Sequence, residues 1–129
     1  MVHMKLYLYI DTIERDTLEV ALISESLEVL CAKRYIGKTD RLLPLIFALC
    51  QKNQCSPHDF TGICIRHVKS AAFTSVRIGM VVANAFSYFL RIPVYEVKSA
   101  ASLDLSEPAM GTLGFYACEP HITAPKFSA

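Results

Sequence analysis

The sequence predicts an α/β domain in which two helices pack on a mixed five-stranded sheet. The chain has 129 residues, of which 53% are hydrophobic and 19% charged, so it can bury a core of useful size. Three β-type runs follow one another at its start. Two runs with a helical period then alternate with two further β-type runs. This order favours a meander followed by two helical crossovers.

The first three runs are predicted to form an antiparallel meander. Strand one covers residues 5–12, and the polar residues 14–16 supply its turn. Strand two covers residues 17–24 and strand three residues 27–36. Because only two residues separate these strands, we expect a tight hairpin between them.

The first helix is expected to begin where the hydrophobic period changes. Thr39 or Asp40 can cap it, and its body continues to residue 53. Pro44 stands early enough in this segment to be tolerated.

The remaining elements complete the order β-β-β-α-β-α-β. Strand four covers residues 60–66, the second helix about 74–91 and strand five residues 93–98. Right-handed crossovers would place the parallel strands beside strand one. This is the layout of a ribonuclease H-like or actin-like ATPase half-lobe. We therefore expect a lobe over residues 1–103 and a tail over 104–129, which contains several Pro and Gly residues.

The composition excludes several classes of protein. A formal charge of +1 and the absence of a basic run argue against free-standing nucleic-acid binding. No apolar stretch is long enough for a transmembrane helix, and the N-terminus does not read as a signal peptide, so a cytoplasmic location is expected. Five cysteines without a CxxC pair then indicate reduced thiols. The spacing of Cys50, Cys55 and His58 matches no common zinc pattern, and we expect no metal and no cofactor.

Three stretches carry a family resemblance. The opening LYLYIDT, with VALIS in strand two, is similar to the first hairpin of the bacterial tRNA threonylcarbamoyladenosine biosynthesis protein family TsaB, also called YeaZ. The segment KTDRLLPLI is similar to the family's helix start, usually HSERLLP. The segment FTSVRIGMVVANAFSYFLRIPVYEVKSAASL is similar to its FTGLRIG helix and the stretch that follows. Together they span residues 4–103 and resemble the N-terminal lobe of the family.

This resemblance implies a scaffold rather than a catalyst. In the family, TsaB pairs through these helices with TsaD, which carries the metal and transfers a threonylcarbamoyl group to adenosine 37 of tRNAs reading ANN codons. We therefore expect a TsaD-like partner, a second copy of this chain, or both. Contact with tRNA would be indirect, and no membrane would be involved.

The sequence departs from the family in two places. The glycine-rich GPGS turn corresponds here to residues 69–72, which read KSAA, and the Gly after the family's FT is Ser75. Only 26 residues follow Leu103, so we expect the second lobe to be missing. A single lobe without that turn offers few backbone donors for phosphates, which argues against ATP chemistry.

No catalytic constellation is readable in the sequence. Asp11 ends strand one, but a two-metal nuclease needs further carboxylates, and strand four ends in Arg66 and His67. The first helix supplies only Asp40, at its start. We interpret Asp11 as a turn residue that bonds its own backbone. His67 has hydroxyls such as Ser70 nearby in sequence, but no orienting partner.

Both helices have more apolar surface than one sheet can cover. On the second helix, Ile78, Val82, Ala85 and Phe89 are expected to face the sheet, while Ser75, Gly79, Ala83 and Ser87 form a stripe of small residues on another face. Such a stripe lets a partner helix approach closely. The predicted partner interface consists of Leu42, Leu45, Ile46, Leu49, Ser75, Val76, Gly79, Met80, Ala83, Ser87 and Leu90.

Three alternatives stay open at this point. The tail could cover the helices through Phe115, Tyr116 and Ile122. The chain could instead be a homodimeric binding module of ribonuclease H-like fold with no tRNA function. It could also be a small hydrolase or nuclease, an alternative that the missing acidic cluster argues against.

Overall fold

The computed structural model describes residues 5–14, 16–66, 73–100, 103 and 105. Within them, strands and α-helices follow in the predicted order. They are β1 (Leu6–Asp11), β2 (Thr17–Ser24), β3 (Val29–Ile36), α1 (Leu42–Lys52), β4 (Phe60–Arg66), α2 (Phe73–Leu90) and β5 (Val94–Val97).

The strands form one mixed sheet in the order β3-β2-β1-β4-β5. The pairs β1–β2 and β2–β3 are antiparallel, whereas β1–β4 and β4–β5 are parallel. The meander and the two crossovers are therefore confirmed, with β4 beside β1 as predicted. Both helices pack on the same face of the sheet, since residues of α1 and α2 share one apolar cluster with β1 and β4.

Successive side chains of β1 point alternately to the two faces of the sheet. Leu6, Leu8 and Ile10 point into the helix-side cluster, which contains the buried residues of both helices. Tyr9 points to the opposite face, where it packs with Ala21, Ile23, Cys64 and Val97 in a second cluster. Asp11 follows Tyr9 on that face by the same two-residue period. The sequence therefore places a carboxylate at the end of β1, away from the helices.

The start of α1 differs from the prediction. Residues Thr39–Arg41 form a 3₁₀ turn, and the N-cap residue of α1 is Arg41, which makes no side-chain cap hydrogen bond. Pro44 is the third residue of the helix. Its missing N–H falls among the first four, which have no intrahelical acceptor, so it is tolerated as predicted.

The orientation predicted for α2 is wrong in part: Ile78 and Val82 pack against the helix-side cluster as predicted, whereas Ala85 and Phe89 are exposed. Gly79, Ala83 and Ser87 face the sheet, while Phe89, expected to cover the sheet, is 79% exposed. The reason is close packing at Gly79. A Cβ on this residue would lie 2.6 Å from Thr12 Oγ1 and 3.3 Å from Ile65 Cδ1, so only glycine allows the helix to sit this close to β1 and β4.

The predicted interface residues accordingly lie inside the protein rather than on its surface. Those fully buried in the helix-side cluster are Leu42, Ile46, Leu49, Met80 and Ala83. Gly79 and Ser87 are buried as well, and Leu45 and Leu90 are half-buried against the same cluster. The side chains of Ser75 and Val76 lie outside the described part of the chain. Seven of the nine described residues are core, because α1 and α2 use them to cover the sheet, and Leu45 and Leu90 lie at the margin of that core.

Among the described helices, none combines the length and the apolar character that a membrane span requires.

Candidate functional site

The carboxyl ends of β1 and β4 bring two charged residues together. The two strands are parallel neighbours, with Ile10 opposite Ile65, so the strand-final residues Asp11 and Arg66 reach the same edge of the sheet. In open α/β sheets, this edge is a common place for ligands. We call Asp11, Arg66 and the side chains in contact with them, Tyr9 and Glu14, the polar cluster.

Asp11 is the centre of the cluster and is 8% exposed. Its Oδ2 accepts hydrogen bonds from Arg66 Nη1 at 3.0 Å and from the Tyr9 hydroxyl at 3.2 Å. Its Oδ1 accepts the Ile13 backbone N–H at 3.1 Å, which confirms the predicted turn. Both carboxylate oxygens therefore have protein donors.

Arg66 is held from two further directions. Its Nε donates to the Lys98 carbonyl at 3.0 Å, and its Nη1 lies 3.9 Å from Glu14 Oε2. The hydrogen bond to Asp11 raises the pKa of Arg66, against the effect of desolvation, so the guanidinium stays charged. Burial, reinforced by the Asp11 charge, raises the pKa of Tyr9 above its usual range. Tyr9 therefore remains a phenol that can donate to the carboxylate.

A shallow groove lies over this cluster. Its lining residues are Asp11, Glu14, Thr17, Glu19, Arg34 and Arg66, which supply three carboxylates and two guanidinium groups. The groove therefore contains charges of both signs, and Arg34 Nη2 lies 3.9 Å from Glu14 Oε1. Within the described residues, no three His, Cys, Asp or Glu side chains are arranged to hold a metal ion. The Arg66 guanidinium pairs with the Asp11 carboxylate and so already supplies a positive charge beside it.

The Asp11–Arg66 pair is the part of the site that sequence reasoning missed. Both residues are predicted at strand ends, but the prediction pairs Arg66 with His67 in sequence and not with Asp11 in space. The usable signal was the parallel pairing of strands one and four, because the ends of parallel neighbours meet at one edge. His67 and Ser70 lie outside the described residues, so the geometry of the proposed hydrolase alternative is not defined by the structure.

A second candidate site is the outer surface of the two helices. We call it the helix surface and define it by the exposed apolar residues Leu43, Phe47, Val81, Ala85, Tyr88 and Phe89. The four members on α2 recur at helical spacing and so share one side of the helix. Tyr88 and Phe89 are 72% and 79% exposed, and their rings pack edge to face with 5.4 Å between the ring centroids. Exposed aromatic groups of this kind are typical of interaction sites.

Comparison with known proteins finds a structural likeness to YeaZ. No protein-family model and no curated protein matches the chain. YeaZ from Pseudomonas aeruginosa matches with 27% identity and a TM-score of 0.64, over 73% of this chain and 43% of that chain. A second structure, of a protein with similarity to peptidase YeaZ from the same organism, gives the same values. A Thermus thermophilus RuvC structure matches with 9% identity and a TM-score of 0.47, over 70% of this chain and 62% of that chain.

The match to YeaZ agrees with the resemblance predicted from the sequence motifs. It covers 73% of this chain, although the chain spans less than half of the YeaZ length. The sheet order and the two crossovers agree with the predicted half-lobe. The chain is therefore similar to YeaZ in both sequence and fold, and its architecture is that of a ribonuclease H-like half-lobe.

Proposed function

We propose that this chain is a non-catalytic, TsaB-like scaffold subunit. It would support threonylcarbamoyl transfer to adenosine 37 of tRNA by a TsaD-like partner. The similarity to YeaZ, at 27% identity and a TM-score of 0.64, is the observation that carries this proposal.

The polar cluster supports a scaffold more than a catalyst. A general base or metal ligand at the end of β1 would need free acceptor positions on its carboxylate, of which an ionised Asp has about four. Instead, Asp11 accepts three hydrogen bonds, and one donor is the guanidinium of Arg66. The pair joins the ends of β1 and β4, and Arg66 extends the link to the residue after β5 through the Lys98 carbonyl. Its proposed contribution is therefore to the fold.

The helix surface supports a partner on the side of the molecule away from the sheet. Its three aromatic side chains, Phe47, Tyr88 and Phe89, are solvent-exposed, and its other members are aliphatic. Burial of aromatic side chains at the centre of an interface often dominates binding energy. The proposed contact is thus still made by α1 and α2, but by their outer residues rather than by the small-residue stripe.

This proposal can be tested with the whole chain and a TsaD homologue. Size-exclusion chromatography with light scattering should show a heterodimer on mixing. Tyr88→Asp should reduce the heterodimer by at least about tenfold in affinity, because a charge would be buried against an apolar partner. The matched control is Leu30→Asp, since Leu30 is 50% exposed on β3 and lies off the helix surface.

The outcomes separate the proposal from its alternative. Heterodimer formation by the wild type and by Leu30→Asp, but not by Tyr88→Asp, would support the scaffold. A homodimer that the TsaD homologue does not disturb would favour the binding module without a tRNA function. Monomers in every mixture would refute both.

A further inference from the structure

Two cysteines meet at the C-terminal end of α1. After Lys52, the last residue of the helix, Gln54 adopts a left-handed conformation with φ of 56°. The Gln54 N–H donates to the Gln51 carbonyl at 3.2 Å, and the Cys55 N–H donates to the Cys50 carbonyl at 3.0 Å. This is the Schellman arrangement, in which a contact between the side chains of these two outer positions is frequent. The helix cap therefore places Cys50 and Cys55 together.

Burial and thiol contacts agree with the backbone geometry. Cys50 is 3% exposed inside the helix-side cluster, and Cys55 is half-buried against the same cluster. Both thiols are free, and they share a hydrogen bond. They are thus reduced neighbours, one closed to solvent and one open to it.

We propose that Cys50 and Cys55 form a reversible intramolecular disulfide when a hydroperoxide oxidises the protein, and that this bond locks the C-terminal end of α1. The proposal does not depend on the function proposed above. It needs only the cap of α1 and a small oxidant that can reach Cys55.

The order of attack follows from the two environments. Burial raises the pKa of both thiols, that of Cys50 to about 12. The hydrogen bond between them raises the pKa of Cys50 further but lowers that of Cys55. Cys55 is therefore the first of the two to form a thiolate, and it is also the more exposed.

The reaction then balances in two steps. The Cys55 thiolate attacks one peroxide oxygen, which gives a sulfenic acid and releases hydroxide. The Cys50 sulfur displaces the hydroxyl group from Cys55, and the sulfur–sulfur bond forms. In total, two thiols and one hydrogen peroxide give one disulfide and two waters, with both electrons supplied by the sulfurs. A dithiol reductant reverses the change.

The other described cysteines cannot take the place of this pair. Cys64 is fully buried in the cluster on the opposite face of the sheet. Cys31 lies on β3, where it packs at the margin of the helix-side cluster. The expected product is therefore specific to the cap of α1.

Peptide mapping tests the proposal on the full chain. The reduced protein is treated with hydrogen peroxide, its remaining thiols are blocked with iodoacetamide, and it is digested with trypsin. Cleavage after Lys52 separates the two cysteines, so the disulfide should join peptides 42–52 and 53–66. The joined pair should disappear in Cys55→Ser and persist in the matched control Cys31→Ser. Persistence of the pair in Cys55→Ser would instead assign the bond to Cys64, which would overturn the proposal.

Folding should favour this disulfide. If the cap holds the thiols together, the equilibrium ratio of disulfide to dithiol in a glutathione redox buffer should be at least about tenfold higher in the native protein than in urea. Oxidation should also raise the melting temperature, by about 5 °C, in the wild type but not in Cys55→Ser. An equal ratio in urea, unlinked Cys50 and Cys55, or disulfides only between molecules would contradict the proposal.

Discussion

The two sides of α2 differ in a way that side-chain size alone does not predict, because small residues are buried on one side and two aromatic residues are exposed on the other. The side against the sheet carries Gly79, Ala83 and Ser87, whereas the outer side carries the aromatic residues Tyr88 and Phe89. Small residues belong inside because they let the helix backbone approach the sheet closely, and close approach excludes water from that interface. Large residues also pack inward, since Met80 is buried and Phe86 is half-buried against the core, but Tyr88 and Phe89 are left on the surface, where a partner can cover them. The helix therefore has one side fitted to its own sheet and one side available for binding.

The largest expected effect comes from placing a leucine on each side of α2 and comparing the free energies of unfolding. Gly79→Leu should lower the free energy of unfolding by about 3 kcal/mol, because its side chain would collide with Thr12 and Ile65. Ala85→Leu, on the exposed side of the same helix, should change it by less than about 0.5 kcal/mol. Urea denaturation followed by circular dichroism measures both values. Equal losses for the two variants would show that the assignment of the sides is wrong.

Substitutions in the polar cluster, like those on the sheet-facing side of α2, should lower the free energy of unfolding. Arg66→Met removes the charged donor from a nearly buried Asp11 and should cost about 2 kcal/mol. The control is Arg34→Met, because the Arg34 contact with Glu14 is 3.9 Å long and solvent-exposed. We expect that variant to cost less than about 0.5 kcal/mol. If Arg66→Met matched this small loss, the pair would not be a structural link between strand ends.

The smallest expected difference in unfolding free energy is between two variants at the end of α2. The Ser87 hydroxyl donates to the Ile92 carbonyl, and the Ile92 N–H returns to the Ser87 carbonyl at 3.2 Å. Ser87→Ala should cost about 1 kcal/mol, because it leaves the part-buried Ile92 carbonyl with one donor fewer. Tyr88→Ala, at the next and exposed position, should be nearly neutral for the monomer. A larger loss for Tyr88→Ala in the same denaturation assay would place Tyr88 in the core.

The sequence was sufficient for the elements and for the sheet order. Runs such as LYLYID and FTGICIR contain too few polar residues for surface helices, and their order with two helices leaves few topologies. The sides of α2 were not predictable in the same way, because periodicity shows that Gly79 and Phe89 lie on different faces but not which face is buried. The Asp11–Arg66 pair required knowledge of which strands are neighbours. The cap of α1 also differed, since Thr39 and Asp40 were used in a 3₁₀ turn before the helix.

The measurement that tests the central claim most directly is threonylcarbamoyl transfer by a TsaD homologue, supplied with its donor and tRNA, with and without this chain. Addition of the wild-type protein should raise product formation. Asp11→Asn should retain most of that stimulation, whereas Tyr88→Asp should remove it. Stimulation that survives Tyr88→Asp but disappears with Asp11→Asn would contradict the account. It would mean that the cluster at the strand ends acts in the reaction and that the helix surface is not the site of contact.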